Sequence, residues 1–238
     1  MERGKLFTEG KGKKLYETDD PSLAIISYKD DMRAYNGLKR GRAQGKGELN
    51  NHINARLFTL LAENGVPNHF VRELDGACSL VRRLEMIPLE VKVRNFVAGS
   101  LGVRLGLPEG TRLQNTVVEY CYKNQELDNP LVNITHITAL GIATMEEVDQ
   151  MSQMALQVND ILQEKFRQVG VELVDFKLEF GRRGEGVVML ADEVDPDTCR
   201  FWDAKTHESL DIDLFRRNLG NVEEGYREIL RRLVEKDI

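Results

Sequence analysis

The sequence predicts an α+β fold in two lobes, a β-rich N-terminal lobe over residues 1–85 and a mixed α/β C-terminal lobe over 86–238. Three observations predict it. Short strand-like runs bounded by Gly, Asn and Asp fill the first part. A long apolar repeat of helical period, from Val148 to Val169, stands in the second. No repeat or Pro/Ser-rich linker separates the two, so they form one functional unit rather than tethered domains.

In chain order, Lys5–Tyr16 alternates loosely around Gly10 and Gly12, and 22–29 reads as a strand. A helix is expected from about Lys46 to Ala62, stopped by Asn64-Gly65 with Pro67 beyond. Residues 69–74 and 78–86 read as strands joined by an Asp75-Gly76 turn. In the second part a strand is expected over 116–122. Thr144 and Glu147 then form a capping-box signature for a long helix. Its stripe of Val148, Met151, Ala155, Val158, Leu162, Phe166 and Val169 is core spacing, and Gly170 ends it. Asn221 with Glu224 opens a terminal helix carrying Tyr226, Ile229, Leu230 and Leu233.

Bulk properties exclude some functions. With 33 basic and 39 acidic residues the net charge is -6, which argues against a nucleic-acid binder relying on overall charge. No apolar run approaches the ~20 residues that span a bilayer, and the N-terminus has no apolar signal core, so no membrane role is expected. Cys78, Cys121 and Cys199 are few, odd in number and widely spaced, which fits reduced thiols and a cytoplasmic protein. The four histidines lack zinc-ligand spacing.

The most informative stretch is 173–203. A strand there puts Asp175, Lys177 and Glu179 on one face and Val174, Phe176, Leu178 and Phe180 on the other. A second strand, 187–194, brings Asp192 and Glu193 back, and a hairpin closing around 181–186 predicts Asp192 beside Asp175. Such a face repels itself unless a cation, or a polyanion with its metal, sits there; otherwise it is a charged face in solvent. Lys11, Lys13 and Lys14 surround two glycines that admit a phosphate to the backbone, without Walker A spacing, and a solvated basic turn is the alternative. Arg94 with Gly99-Ser100 suits a phosphate monoester, against a plain surface arginine. Arg200 follows the second strand closely. Trp202 reads as packing, Cys199 as inert, His136 as a hydrogen-bonded structural histidine and Lys123 as an ordinary loop residue.

The order of these segments is more specific than any one of them. GKGKKLYET (10–18), KDDMRAYNG (29–37), QGKGELNN (44–51), LEMIPLEVKVRNFVAGS (84–100), ELVDFKLEFG (172–181) and DEVDPDTCRFWD (192–203) resemble the SAICAR synthetase family, from about Lys5 to Leu233. The resemblance implies an ATP-dependent ligase joining carboxyaminoimidazole ribonucleotide (CAIR) to L-aspartate. It implies an antiparallel N-terminal sheet and a mixed second lobe with ATP between them, similar to protein kinases and ATP-grasp enzymes, and a homodimer. Under it, Glu179 and Asp192 are the Mg²⁺ ligands, Lys177 and Asp175 the catalytic pair, and Lys177 a contact to the substrate as well. Lys11, Lys13, Lys123 and Asp192 belong to the ATP site, with Val81 and Met86 at the adenine. Arg94, Ser100 and Arg200 hold the ribonucleotide. One departure stands out: Arg33-Ala34 replaces the family's usual Thr-Ala or Ser-Ala, which leaves the role of that loop open. A kinase-like phosphotransferase or a nucleotide-binding protein without catalysis are the rival readings.

Overall fold

In the computed structural model, residues 2–184 and 186–235 are described; Glu185, in the expected turn of the 173–203 hairpin, lies outside them. The first part contains β1 (Leu6–Glu9), β2 (Lys13–Glu17), β3 (Leu23–Tyr28), β4 (Asp31–Ala34), β5 (Lys39–Arg42), α1 (Lys46–Glu63), β6 (Phe70–Glu73) and β7 (Cys78–Arg82). Five of the strands form an antiparallel sheet in the order β1-β2-β3-β7-β6, while β4 and β5 make a separate hairpin. That hairpin escapes sequence reading because its strands are short and mostly polar. β3 is buried on both faces, with Ala24 and Ile26 against Val81 on one and Ile25 against Leu80 on the other. Its unbroken apolar run follows from that.

The second part contains β8 (Glu85–Met86), β9 (Leu89–Phe96), α2 (Ser100–Leu105), β10 (Arg112–Tyr122), β11 (Leu131–Val132), α3 (Ile134–Ala139) and α4 (Met145–Gln168). It continues with β12 (Val171–Arg183), β13 (Val187–Ala191), β14 (Cys199–Asp203), α5 (Asp213–Arg216) and α6 (Val222–Glu235). Among the described residues these strands form a seven-stranded sheet, β11-β10-β9-β12-β13, with β8 and β14 also paired to β12. β12 is the shared member. Its first half lies between β9 and β14, its second half against β13 and β8.

The capping box of α4 is present in both directions, Thr144 accepting from the Glu147 amide and Glu147 accepting from the Thr144 amide. Val148, Met151, Ala155, Val158, Leu162 and Phe166 are fully buried against β12 and β9. Each of these except Ala155 contributes roughly 1.5–3 kcal/mol by leaving water. α1 buries Ile53, Leu57, Phe58 and Leu61 in that same core, so the first part of the chain is packed into the second. Its start is fixed by Gly47, where a Cβ would meet the Tyr28 carbonyl oxygen at 2.7 Å. No described helix is long and apolar enough to cross a membrane.

Candidate active site

β12 presents Asp175, Lys177 and Glu179 to a cavity of about 500 Å³, floored by β12 and β9 and walled by the β1–β2 turn and the loop after β13. The opposite residues, Val174, Phe176, Leu178 and Phe180, are buried, so strand alternation sorts charge from core as expected. The charged face is not solvated: Asp175 and Glu179 are 5% and 2% exposed. The cavity has two ends of different chemistry.

At one end lysines meet carboxylates. Lys177 Nζ lies 2.6 Å from Glu179 Oε1, 3.3 Å from Asp192 Oδ2 and 3.9 Å from Glu90 Oε1. Lys13 pairs with Asp192 and, at 3.0 Å, with Glu193; Lys123 pairs with Glu179. Burial works against the charge on Lys13 and Lys177. The surrounding carboxylates outweigh it, so both ammoniums are held above the usual lysine range. Burial likewise opposes ionisation of Asp192, but Lys13, Lys177 and Lys123 drive its carboxyl far below the ordinary range. Glu193 goes the other way, raised by burial and by Asp192 despite Lys13. Asp192 is therefore the more readily ionised of the two. It ends β13 with φ +65°, a conformation that costs a non-glycine residue about 1–2 kcal/mol.

At the other end two guanidiniums converge on one carboxylate. Arg94 donates to Asp175 Oδ2 at 2.8 Å, to Glu119 Oε2 at 2.7 Å and to Ser100 Oγ at 3.1 Å. Arg200 donates to both Asp175 oxygens at 2.9 Å and to Asp213 Oδ2 at 2.9 Å. β12 pairing Asp175 with Arg94 of β9 and with Arg200 of β14 produces this convergence. Gly99 makes room for it: its φ is +52°, and a Cβ there would stand 2.8 Å from Arg200 Nη2. Arg200 holds its proton above the normal arginine range, burial being overcome by Asp175 and Asp213.

Lys11, Lys13, Arg94, Ser100, Lys123, Asp175, Lys177, Glu179, Asp192 and Arg200 all line this one cavity, and Arg33 joins them. One expectation is corrected. Asp192 does not sit beside Asp175: Ala191 pairs with Glu179, so Asp192 emerges at the Glu179 end of β12. Asp175, expected to orient Lys177 or an incoming amine, forms ion pairs with Arg94 and Arg200. Val81 lies in the apolar cluster of the first sheet, and Met86, 41% exposed on β8, is paired to Gly181; neither lines the cavity.

Sequence reading missed several members. Glu90 shares a face with Lys92 and Arg94 by the alternation that was applied to Asp175, so the signal was available. Lys46 is fully buried and pairs with Asp197, which also accepts from Asn50 at 2.8 Å and from Tyr226 Oη at 2.6 Å. As a lysine opening a helix it carried no such signal. Among the described residues no three His, Cys, Asp or Glu side chains are arranged to hold a metal ion alone. Glu179 and Asp192, drawn together around Lys177, fit a hard cation that completes its shell with water and ligand oxygens.

Comparison with known proteins gives a consistent answer. A family model described as SAICAR synthetase matches residues 6–233. The phosphoribosylaminoimidazole-succinocarboxamide synthase of Coprothermobacter proteolyticus is 54% identical over 233 residues, covering 98% of this chain and 99% of that protein. Its counterpart in Fusobacterium nucleatum is 50% identical over 236 residues, covering 99% and 100%. A solved SAICAR synthetase (type 2) in complex with ADP matches with a TM-score of 0.94 at 47% identity, covering 97% of this chain and 98% of that one.

Proposed function

The chain belongs to the SAICAR synthetase family, and from that premise we propose how its own residues perform the family's reaction. It is an ATP-dependent ligase that condenses CAIR with L-aspartate to give SAICAR, ADP and phosphate in purine biosynthesis. The observation that carries the reading is one cavity with lysines and two clustered carboxylates at one end and an arginine–serine group at the other. A nucleotide triphosphate with its metal suits the first, a phosphorylated and carboxylated ribonucleotide the second.

A carboxylate resists amine attack until an oxygen becomes a leaving group. The γ-phosphoryl of ATP passes to the CAIR carboxylate, the aspartate amine forms the C–N bond, and the C–O bond to phosphate breaks. Lys11 and Lys13 lie along the phosphates. Lys177 stays protonated and neutralises the transferred phosphoryl, which disperses charge over its oxygens as it moves. Lys123 belongs to the same nucleotide end. Glu179 and Asp192 would hold Mg²⁺, which would supply charge neutralisation for the phosphates. Arg94, Ser100 and Arg200 grip the ribonucleotide, and Asp175 acts by fixing the two guanidiniums rather than in the chemistry.

We place ATP between the parts on either side of residues 85/86, with Met86 offering an exposed apolar surface to the adenine and Val81 behind it. A homodimer follows from the resemblance alone. The cytoplasm suits three free, buried cysteines. The test is ADP release with each substrate omitted in turn. Release should require CAIR and L-aspartate together, and turnover indifferent to L-aspartate would overturn the ligase reading.

A further inference from the structure

Arg33 stands on the cavity wall with its charge unmatched. β4 alternates as a strand must: Met32 and Ala34 are buried, Met32 in an apolar cluster with Ile212, Val222 and Tyr226, while Asp31 and Arg33 share the other face and line the cavity. The β4–β5 hairpin is tied to α5 and the turn after it. The Tyr35 hydroxyl donates to the Arg216 carbonyl at 3.0 Å, Lys39 donates to Asn218 Oδ1 at 2.7 Å, and its ammonium lies 4.6 Å from the centre of the Phe215 ring. Arg33 therefore hangs from a fixed backbone, yet its exposed guanidinium has no hydrogen bond or ion pair among the described residues. Asp31 and Glu9 feel its charge, but Lys29 holds both, at 2.9 and 2.8 Å. Directly opposite on β5 stands Arg40, a like charge that opposes the pairing and turns to the Gly37 carbonyl at 3.1 Å. An anion at Arg33 would relieve that repulsion. Apart from Lys11, the other cations of the wall all have carboxylate partners, with Lys92 at 3.5 Å from Glu90 Oε2 and Arg216 at 2.9 Å from Asp213 Oδ1 among them.

We propose that Arg33 binds a carboxylate of L-aspartate. The inference rests on the ligase reading and supplies a contact for its third substrate. On that reading ATP meets Lys11, Lys13, Lys123 and Lys177, and the ribonucleotide meets Arg94, Ser100 and Arg200, all on the same cavity wall. L-aspartate brings two carboxylates into that cavity. Both persist in the product, so a cation that grips one of them serves binding without entering the chemistry. A guanidinium suits this better than an ammonium, because its planar fork meets a carboxylate at two points.

The test is steady-state ADP release with L-aspartate varied, together with inhibition by succinate, a dicarboxylate that lacks the amine. Arg33→Ala and Arg33→Ser remove an exposed side chain, so both should fold with an unchanged melting temperature. Each should raise KM for L-aspartate and Ki for succinate by roughly 10-fold or more. The contact is made equally before and during the reaction, so kcat at saturating L-aspartate and KM for CAIR and ATP should stay at wild-type values. Arg33→Lys keeps the charge but loses the fork and should recover part of the affinity. Unaltered KM for L-aspartate and Ki for succinate in both the Ala and the Ser variant overturn the inference. So does a rise confined to KM for ATP or CAIR, which would place a phosphate at Arg33 instead. Should wild-type ADP release not depend on L-aspartate, the ligase reading falls and takes this inference with it. Dependence on L-aspartate with a normal KM in the variants sinks the inference alone.

Discussion

The two ends of the cavity stand on the same strand yet are built on opposite principles. At the lysine end, single-point ammonium contacts are shared among Glu179, Asp192, Glu193 and Glu90, and Lys177 alone has three carboxylate neighbours. At the arginine end, planar guanidiniums are fixed at several points each, Arg94 by Asp175, Glu119 and Ser100 and Arg200 by Asp175 and Asp213. A lysine is a flexible point charge, whereas arginine's fork locks into place. On the proposed reading, the first end exchanges partners when phosphates and a cation arrive, with carboxylates passing from lysine to metal. The second is built to receive an anion without rearranging. On the same reading, differential binding of the moving charge belongs to the first, uniform binding of the ribonucleotide to the second.

The largest test of this contrast removes charge at the lysine end. Glu179→Gln and Asp192→Asn keep the shape of the carboxylates, so the fold should survive while kcat falls by roughly 100- to 1000-fold, with little change in KM for CAIR. Near-normal turnover in both variants would break the division of labour. At the arginine end the expectation reverses. Arg94→Ala should raise KM for CAIR by roughly 30-fold, following a loss of ~2 kcal/mol or more for a buried charged partner. It should also lower the melting temperature, because buried Asp175 and partly buried Glu119 keep only Arg200 and Arg104 to meet them. An unaltered KM would remove Arg94 from the ribonucleotide pocket.

Sequence reading reached the two ends unequally. Alternation along β12 and β9 depends only on neighbouring residues, so the charged face of Asp175, Lys177 and Glu179 could be read directly. Partners depend on register, and register depends on where the turn begins. The expected turn took in Gly181, Arg182 and Arg183. The strand in fact continues through them and Arg183 pairs with Val187, which moves Asp192 from Asp175 to Glu179. Gly181 is a strand residue because Leu84 packs against it: a Cβ there would meet Leu84 Cβ at 2.7 Å. Nothing local to the hairpin announces that contact. Lys46 was illegible for the same reason. Its burial is created by α6 and the loop after β13, far away in sequence. Motif order, by contrast, carried the family across nearly the whole chain.

The smallest expected effect sharpens the contrast from behind the arginine end. Asp211 is fully buried and accepts the Asp213 amide at 2.7 Å and the Phe201 amide at 2.8 Å, next to the carboxylate that holds Arg200. Burial, with Asp213 adding to it, pushes its carboxyl from 3.8 up to about 7. Between those values the folded protein keeps a proton that the unfolded chain has lost. Raising the pH through this window therefore favours unfolding, by up to about 1.4 kcal/mol per pH unit, and the penalty is constant above it. The contribution is most favourable below about pH 4, where both states are protonated. Asp211→Asn cannot ionise, so its stability relative to the wild type should climb as pH rises from about 4 to 7 and then level off. Denaturant melts of both proteins across that range measure the difference, and parallel curves would show an ordinary carboxylate at Asp211. A rising difference with unchanged KM for CAIR would mean that the arginine end is rigid enough to absorb a titration behind it, a tolerance not expected of the shared carboxylates around Lys177.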